Sequence, residues 1–313
     1  MKKNYAIALC VILLSCENNS NVKQANLSFS GSTHKTKSRE KGNYFVVPEI
    51  PDEMVFAGER IPLEDLDVKE RLDNELIVNN FWHSNTILMM KRANRWFPMM
   101  KSVLKEYDLP EDLVYIALIE SGLRNVTSPA GAKGFWQIME ATGREYGLYI
   151  NEDVDERNHA EKSTKVAAEF LKKAYEKFGS WTLAAAAYNR GMSGIERDQV
   201  QQGVESYFDL SLNNETARYV YRILAIKMIF ENPEKYGFYI DKEDLYSPYI
   251  TKEVEVDTSI TNIYDWARAQ GSSIKIVRKL NPWILGKKLE VIEGEKWIVK
   301  LPKNDKQLRV IGR

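Results

Sequence analysis

The chain has 313 residues, 44% apolar and 28% charged, and its 44 basic side chains cancel its 44 acidic ones. That balance leaves no strong field to draw in nucleic acid, so no nucleic-acid partner is expected. Three histidines (His34, His83, His159) and two cysteines (Cys10, Cys16) exclude a zinc finger, a His-rich metal site and a disulfide scaffold.

At the N-terminus Lys2 and Lys3 precede an apolar run over 5–14. A spanning helix needs about twenty apolar residues, so this short run reads as an export signal. Its ending, Leu13-Leu14-Ser15-Cys16, resembles a bacterial lipoprotein signal. That resemblance implies a signal peptide over 1–15, cleavage before Cys16 and lipidation of Cys16, with a plain signal peptide as the alternative. More than one acyl chain on the cysteine would anchor the protein stably. Residues 16–43, rich in Ser, Asn, Lys and Thr, cannot bury enough apolar surface to offset chain entropy and are expected to form a flexible tether.

Order is expected from about Tyr44, and Pro48, Pro51 and Pro62 predict irregular structure before the first helices. Helical spacing follows over 63–100, with Leu72, Leu76, Phe81, Trp82, Leu88 and Met89 available for packing, so 44–94 reads as a helical leader.

The next helix has Asp108 as its expected cap, Pro110 in its first turn, two acids at the positive dipole end and Gly122 as its stop. Leu113, Ile116 and Ala117 form its apolar stripe, and Glu120 falls on that stripe. A carboxyl on a buried face is desolvated, which raises its pKa and favours the protonated form a general acid needs. The bland alternative is a helix-end Glu that reaches solvent or Arg124.

Four motifs then follow in order: Ile119-Glu120-Ser121-Gly122-Leu123; Gly134-Phe135-Trp136-Gln137-Ile138-Met139, after the turn-rich loop beginning at Ser128; Ala187-Tyr188-Asn189-Arg190-Gly191; and Glu215-Thr216-Ala217-Arg218-Tyr219-Val220. Together they resemble the lytic transglycosylases of the lysozyme superfamily, most of all the membrane-bound lytic murein transglycosylase D type, over about residues 95–240. The resemblance implies a mainly α, lysozyme-like fold of the goose-type and soluble lytic transglycosylase kind. It implies Glu120 as the catalytic acid, and Ser128, Gln137, Met139, Tyr188, Asn189 and Tyr219 as substrate-binding residues. Gln137 also reads as a buried amide needing partners, and Tyr188 as a core tyrosine. Phe135-Trp136 departs from the family's more usual Leu-Met or Leu-Trp, which would alter the cleft wall.

Between the motifs, Val166, Phe170, Leu171, Ala174, Tyr175 and Phe178 predict a core helix closed by Gly179. Small residues over 183–187 allow close helix approach, and two apolar stripes predict a largely buried helix over 215–230. Asp153, Asp155, Glu156 and Glu161 read as solvated acids.

The resemblance further implies one carboxylate, no cofactor and no metal. Glu120 would cleave the β-1,4 bond between N-acetylmuramic acid and N-acetylglucosamine in peptidoglycan glycan strands and leave 1,6-anhydromuramic acid ends. From the residues alone, Glu140, Glu145 and Asp153 stay open as a second carboxylate. A hydrolytic muramidase and a non-catalytic peptidoglycan-binding envelope protein are the alternatives. With the lipoprotein signal, the expected location is the cell envelope, as a periplasmic lipoprotein on the outer membrane.

In the tail, Val254 and Val256 alternate as in a strand, helical spacing follows in two short segments, and 297–302 reads as a closing strand. This β-α-α-β order over 250–303 is similar to a LysM module, which implies either glycan binding or packing on the catalytic domain.

Overall fold

The computed structural model describes residues 47–292 and 294–303. The expected signal peptide over 1–15, Cys16 and the tether over 16–43 lie outside these residues. Where the prolines predict irregular structure, the chain makes a short antiparallel hairpin, β1 (Val55–Phe56) and β2 (Glu59–Arg60). Its turn places Ala57 (φ 52°) and Gly58 (φ 85°) in the left-handed region, as a two-residue hairpin demands. The Ala57 amide donates to Asp112 Oδ2 at 2.8 Å, and Phe56 is fully buried beneath.

Asp65 caps α1 (Leu66–Phe81) by accepting from the amides of Asp67 and Val68, and α2 (His83–Glu106) starts after Trp82. Leu72, Leu76 and Met89 are buried as the spacing predicts, whereas Phe81, Trp82 and Leu88 are 37%, 58% and 38% exposed. The helix break at Trp82 is the reason: one apolar face drawn through 63–100 becomes two, and these three residues fall outside both.

Asp108 is not a cap. It adopts φ 60°, and its amide closes α2 on Lys105 O at 3.1 Å. After Pro110 comes a single 3₁₀ turn, Glu111–Leu113, continued by α3 (Val114–Ser121). Asp112, in that turn, also takes an ion pair from Lys227 at 3.1 Å. Gly122, at φ 58°, ends α3 in the left-handed conformation expected of a stop.

The centre of the helical domain is α5 (Ala160–Phe178), α6 (Trp181–Arg190) and α8 (Asn214–Glu231), with α7 (Met192–Gln202) between the last two in sequence. Four alanines of α6 at 184–187 are fully buried, as are Val220, Ile223, Leu224, Ala225, Ile226 and Ile229 of α8. Enlarging any of those alanines would overpack the core at a cost of about 1–3 kcal/mol. Glu59 of the hairpin receives the amides of Trp181 and Thr182 and the Ser180 hydroxyl, so a distant carboxylate serves the N-terminus of α6. Glu75 of α1, almost wholly buried, pairs with Arg218 of α8 at 2.5 Å.

The tail has the expected β-α-α-β order. β3 (Thr251–Val256) and β4 (Trp297–Pro302) pair antiparallel, Thr251 opposite Pro302 and Val256 opposite Trp297, with α9 (Ile263–Ala269) and α10 (Ile274–Leu280) between them. Buried Asn281 acts as a staple: its Nδ2 donates to Val277 O (2.8 Å) and Lys300 O (2.7 Å), and its Oδ1 accepts the Lys300 amide at 2.7 Å. The module's own core, which includes Val256, Ile263, Val277, Trp283 and Leu301, also takes in Val154 of the helical domain.

That contact corrects the reading of the acids nearby. Asp155 and Glu156 are 1% and 3% exposed, not solvated. Glu156 pairs with Lys162 and accepts the Tyr149 amide at 2.8 Å. Burial alone would raise the Asp155 carboxyl, but hydrogen bonds from Arg157 and Lys133 outweigh it and hold the group below its ordinary value.

Candidate active site

Two helices bring the central pair together. Glu120 sits in the last turn of α3, on the face of the buried Leu113, Ile116 and Ala117. Tyr219, one turn into α8, is buried and donates its hydroxyl to Glu120 Oε1 at 2.5 Å. Burial pushes the Glu120 carboxyl up to about 7, against the Tyr219 hydrogen bond and the Arg222 charge, which pull it down. Close to neutrality the group is therefore divided between acid and carboxylate, the state a residue needs in order to give a proton and take one back. The Tyr219 hydroxyl is itself driven well above the ordinary tyrosine range by burial and by Glu120, so it stays a donor.

The end of α3 is tied down on three sides. Ser121 Oγ donates to Phe135 O at 2.7 Å, Arg92 Nη1 to Gly122 O at 3.0 Å and Arg124 Nε to Ser121 O at 3.1 Å. Arg124 thus binds the helix end rather than Glu120.

The segment following the turn-rich loop forms the neighbouring wall. Ser128 Oγ accepts the Ala132 amide at 3.0 Å, so its hydroxyl braces the loop. Lys133 and Ile138 exchange two backbone hydrogen bonds of 3.0 Å, closing a tight loop in which Gln137 takes φ 49°. The Gln137 amide nitrogen is used inside the loop, on Val126 O at 3.0 Å and Gly134 O at 2.8 Å. Met139 is exposed at the start of α4 (Glu140–Glu145). Phe135 and Trp136 do not face a cleft: both are buried, with Trp136 Nε1 donating to Thr164 Oγ1 at 2.9 Å. What Trp136 presents towards α6 is its carbonyl, which accepts from the Tyr188 hydroxyl at 2.7 Å. The Tyr188 hydroxyl is raised by burial and by the Glu120 charge. Asn189 Oδ1 accepts from Thr216 Oγ1 at 2.8 Å, joining the end of α6 to the start of α8.

The structure thus unites Glu120 with Tyr219 and sets Tyr188 within reach of its charge, whereas Ser128, Gln137 and Asn189 spend side-chain atoms on bracing. The alternative second carboxylates lie elsewhere: Glu140 pairs with Arg144 on an exposed helix face, Glu145 is exposed, and Asp153 lies against Gly286 of the tail module. Arg92 and Arg222 lie outside the four motifs, and the sequence marks no role for Ser121 or Thr216 within them. The i+3 spacing of Tyr219 and Arg222 on one helix is the one signal that could have found Arg222.

Residues 98–210 match the family model of the transglycosylase SLT domain, and residues 252–305 that of the soluble lytic transglycosylase C-terminal LysM-like domain. Over 99% of its length the chain is 26% identical to membrane-bound lytic murein transglycosylase D of Escherichia coli, 70% of which is matched. Two solved structures are similar over smaller shares. One is an inactive mutant of the lytic transglycosylase Slt of Pseudomonas aeruginosa, at 19% identity and TM-score 0.35 over 48% of this chain and 26% of that one. The other is the 70 kDa soluble lytic transglycosylase of Escherichia coli, at 22% identity and TM-score 0.36 over 47% of this chain and 26% of that one.

Proposed function

We propose that this chain, which matches the transglycosylase SLT and LysM-like domain models, cleaves peptidoglycan glycan strands between N-acetylmuramic acid and N-acetylglucosamine, leaving 1,6-anhydromuramic acid ends. The observation that supports this best is the Glu120–Tyr219 pair: a carboxyl raised to about 7 by burial and held by the Tyr219 hydroxyl, with Glu215 acting on it only as a nearby charge.

Protonated Glu120 gives its proton to the glycosidic oxygen as the C1–O bond breaks, and positive charge develops on the muramic acid ring as in other glycoside cleavages. The glucosamine unit leaves as an alcohol. Glu120, now a carboxylate stabilised by Tyr219, takes the proton from the muramic acid's own C6 hydroxyl as that oxygen closes on C1. An intramolecular nucleophile gains from proximity and needs no activated water. Tyr219 and Arg222 favour the carboxylate and burial favours the acid, so the two steps are balanced on one residue. Tyr188 and Met139 would form walls that hold the sugar, and Ser128, Gln137 and Asn189 would support them mainly by fixing the loops around it.

The domain layout is proposed as a signal peptide over 1–15, a tether over 16–43, a helical leader over 44–94, the catalytic domain over 95–240 and the LysM-like module over 250–303. Lipidation of Cys16 would place the enzyme in the cell envelope, on the outer membrane, with glycan strands as its partner. Digestion of purified sacculi followed by mass analysis tests the reaction. Anhydro-muropeptides from the wild type, and none from Glu120→Gln, are expected. Reducing ends would make the protein a hydrolytic muramidase, and no products at all a wall-binding protein.

A further inference from the structure

The segment 153–157 touches the tail module through Asp153, Val154 and the Asp155 amide, and the active-site wall through the side chains of Asp155 and Arg157. On the module side, the Asp155 amide donates to Trp283 O at 2.9 Å, and the amides of Leu285 and Gly286 both donate to Asp153 O, at 2.8 and 3.0 Å. Val154 pairs with Ile284 as a β-bridge and lies in the module's apolar core. Gly286 approaches so closely that a Cβ there would fall 1.4 Å from Asp153 Oδ1.

On the other side, Asp155 makes a two-pronged ion pair with Arg157, at 2.9 and 2.7 Å, and a third contact with Lys133 at 3.0 Å. Arg157 Nη1 reaches the carbonyls of Gly131 (3.1 Å) and Ile138 (3.4 Å), the two ends of the loop that carries Gln137. Asp155 and Arg157 are 1% and 3% exposed. A buried pair of this kind holds its geometry stiffly, because neither charge tolerates separation.

We propose that Asp155 and Arg157 are positioning residues through which the docked LysM-like module sets the geometry of the 131–138 wall. The module would then act as a part of the active-site scaffold, besides any binding of glycan. The path is a contiguous set of packed and hydrogen-bonded groups, the physical form such coupling requires. It runs from Trp283 and Gly286 through Asp155 and Arg157 to Gly131, Lys133 and Ile138. Displacement of that wall by about 1 Å is enough to slow a reaction up to about a hundredfold. The inference rests on the glycan-cleaving reading for its kinetic arm only.

The test uses the full chain and a soluble GlcNAc–MurNAc tetrasaccharide, for which attachment to an insoluble wall brings no advantage. Gly286→Val wedges the module away from Asp153, and Asp155→Asn keeps the backbone contact to Trp283 but removes the charge. Each should lower kcat about tenfold with KM little changed, while Asp155→Glu should recover part of the loss. Because both act on one path, the double variant should be no slower than the slower single one. Amide exchange at Lys133 and Ile138 should quicken in both variants, with Gly122 unaffected. Wild-type turnover and exchange in folded Gly286→Val, or effects that multiply in the double variant, would overturn the proposal. Should Gly286→Val not fold, Gly286→Ala and Asp155→Asn decide by the same two measurements. Wild-type failure to cleave the tetrasaccharide would count against the proposed reaction alone, since the exchange measurement still reads the coupling.

Discussion

The Tyr219 hydroxyl reaches from α8 to Glu120 Oε1 on α3 at 2.5 Å, and it opposes the effect of the burial around it. Burial drives the carboxyl towards its neutral form, whereas the hydrogen bond favours the carboxylate. Tyr219→Phe removes only the hydrogen bond and leaves the burial and the Arg222 charge in place. Glu120 should then titrate above its present value of about 7, and the alkaline limb of the pH–rate profile should move to higher pH. Turnover should fall about 10–100-fold, the equivalent of one lost hydrogen bond to a charged group. Measuring kcat/KM against pH decides it; an alkaline limb that stays or moves down contradicts this account.

The same burial links Glu120 to stability. Its pKa is raised on folding from an ordinary 4.5 to about 7, so the folded protein binds this proton more tightly than the unfolded chain does. Stability from this group is fully present below about pH 4.5 and is lost as the pH rises through about 7. Glu120→Gln carries no such titration. Its melting temperature should match the wild type near pH 4 and exceed it increasingly towards pH 8, while activity falls at least about a hundredfold. A gap that narrows with rising pH would contradict the assignment.

Much of this site is legible in the sequence, and the illegible parts share a cause. Glu120 stands out because a carboxylate on an apolar helical stripe breaks the 3.6-residue pattern, and Gly122 marks the helix end by its missing Cβ. Asp155 and Glu156 carry no such mark. Their burial comes from tertiary packing, and their countercharges sit at Lys133, Arg157 and Lys162, none at a regular spacing. Asp108 deceives for a local reason: an Asp shortly before a Pro and two acids has a cap's composition, but its positive φ spends it on the turn instead. Gln137 is legible as important and not in its details, because composition does not reveal that its amide nitrogen would fold back on Val126 and Gly134.

The hairpin's hold on α6 gives a prediction away from the chemistry. Glu59 accepts from Ser180, Trp181 and Thr182, satisfying helix-end donors that otherwise need a cap. Glu59→Ala should destabilise the protein by about 1–2 kcal/mol. Its neighbour Arg60 pairs with Glu64 on the open surface, where solvent screens the pair, so Arg60→Ala should leave stability almost unchanged. Urea unfolding of both variants makes the comparison; equal effects would mean that Glu59 is not acting as a cap.

Gly134 and Gly131 separate backbone strain from close packing in the wall. Both have positive φ, 81° and 86°, so an alanine at either position meets a conformational penalty of about 1–2 kcal/mol. At Gly131 nothing lies within 4 Å of the added Cβ, whereas at Gly134 it would fall 2.0 Å from the Arg157 carbonyl oxygen. That oxygen cannot swing aside as a side-chain tip could, because Arg157 is fixed by Asp155 and by the loop ends at Gly131 and Ile138. Gly134→Ala should therefore destabilise by a further 1–3 kcal/mol or so beyond Gly131→Ala. It should also slow turnover, since relief of the overlap shifts the loop that carries Gln137. Gly131→Ala, with open space around the added Cβ, should slow turnover less. Urea unfolding supplies the first difference and steady-state kinetics the second; if the two alanines behave alike in both, the contact between Gly134 and Arg157 does not fix the wall.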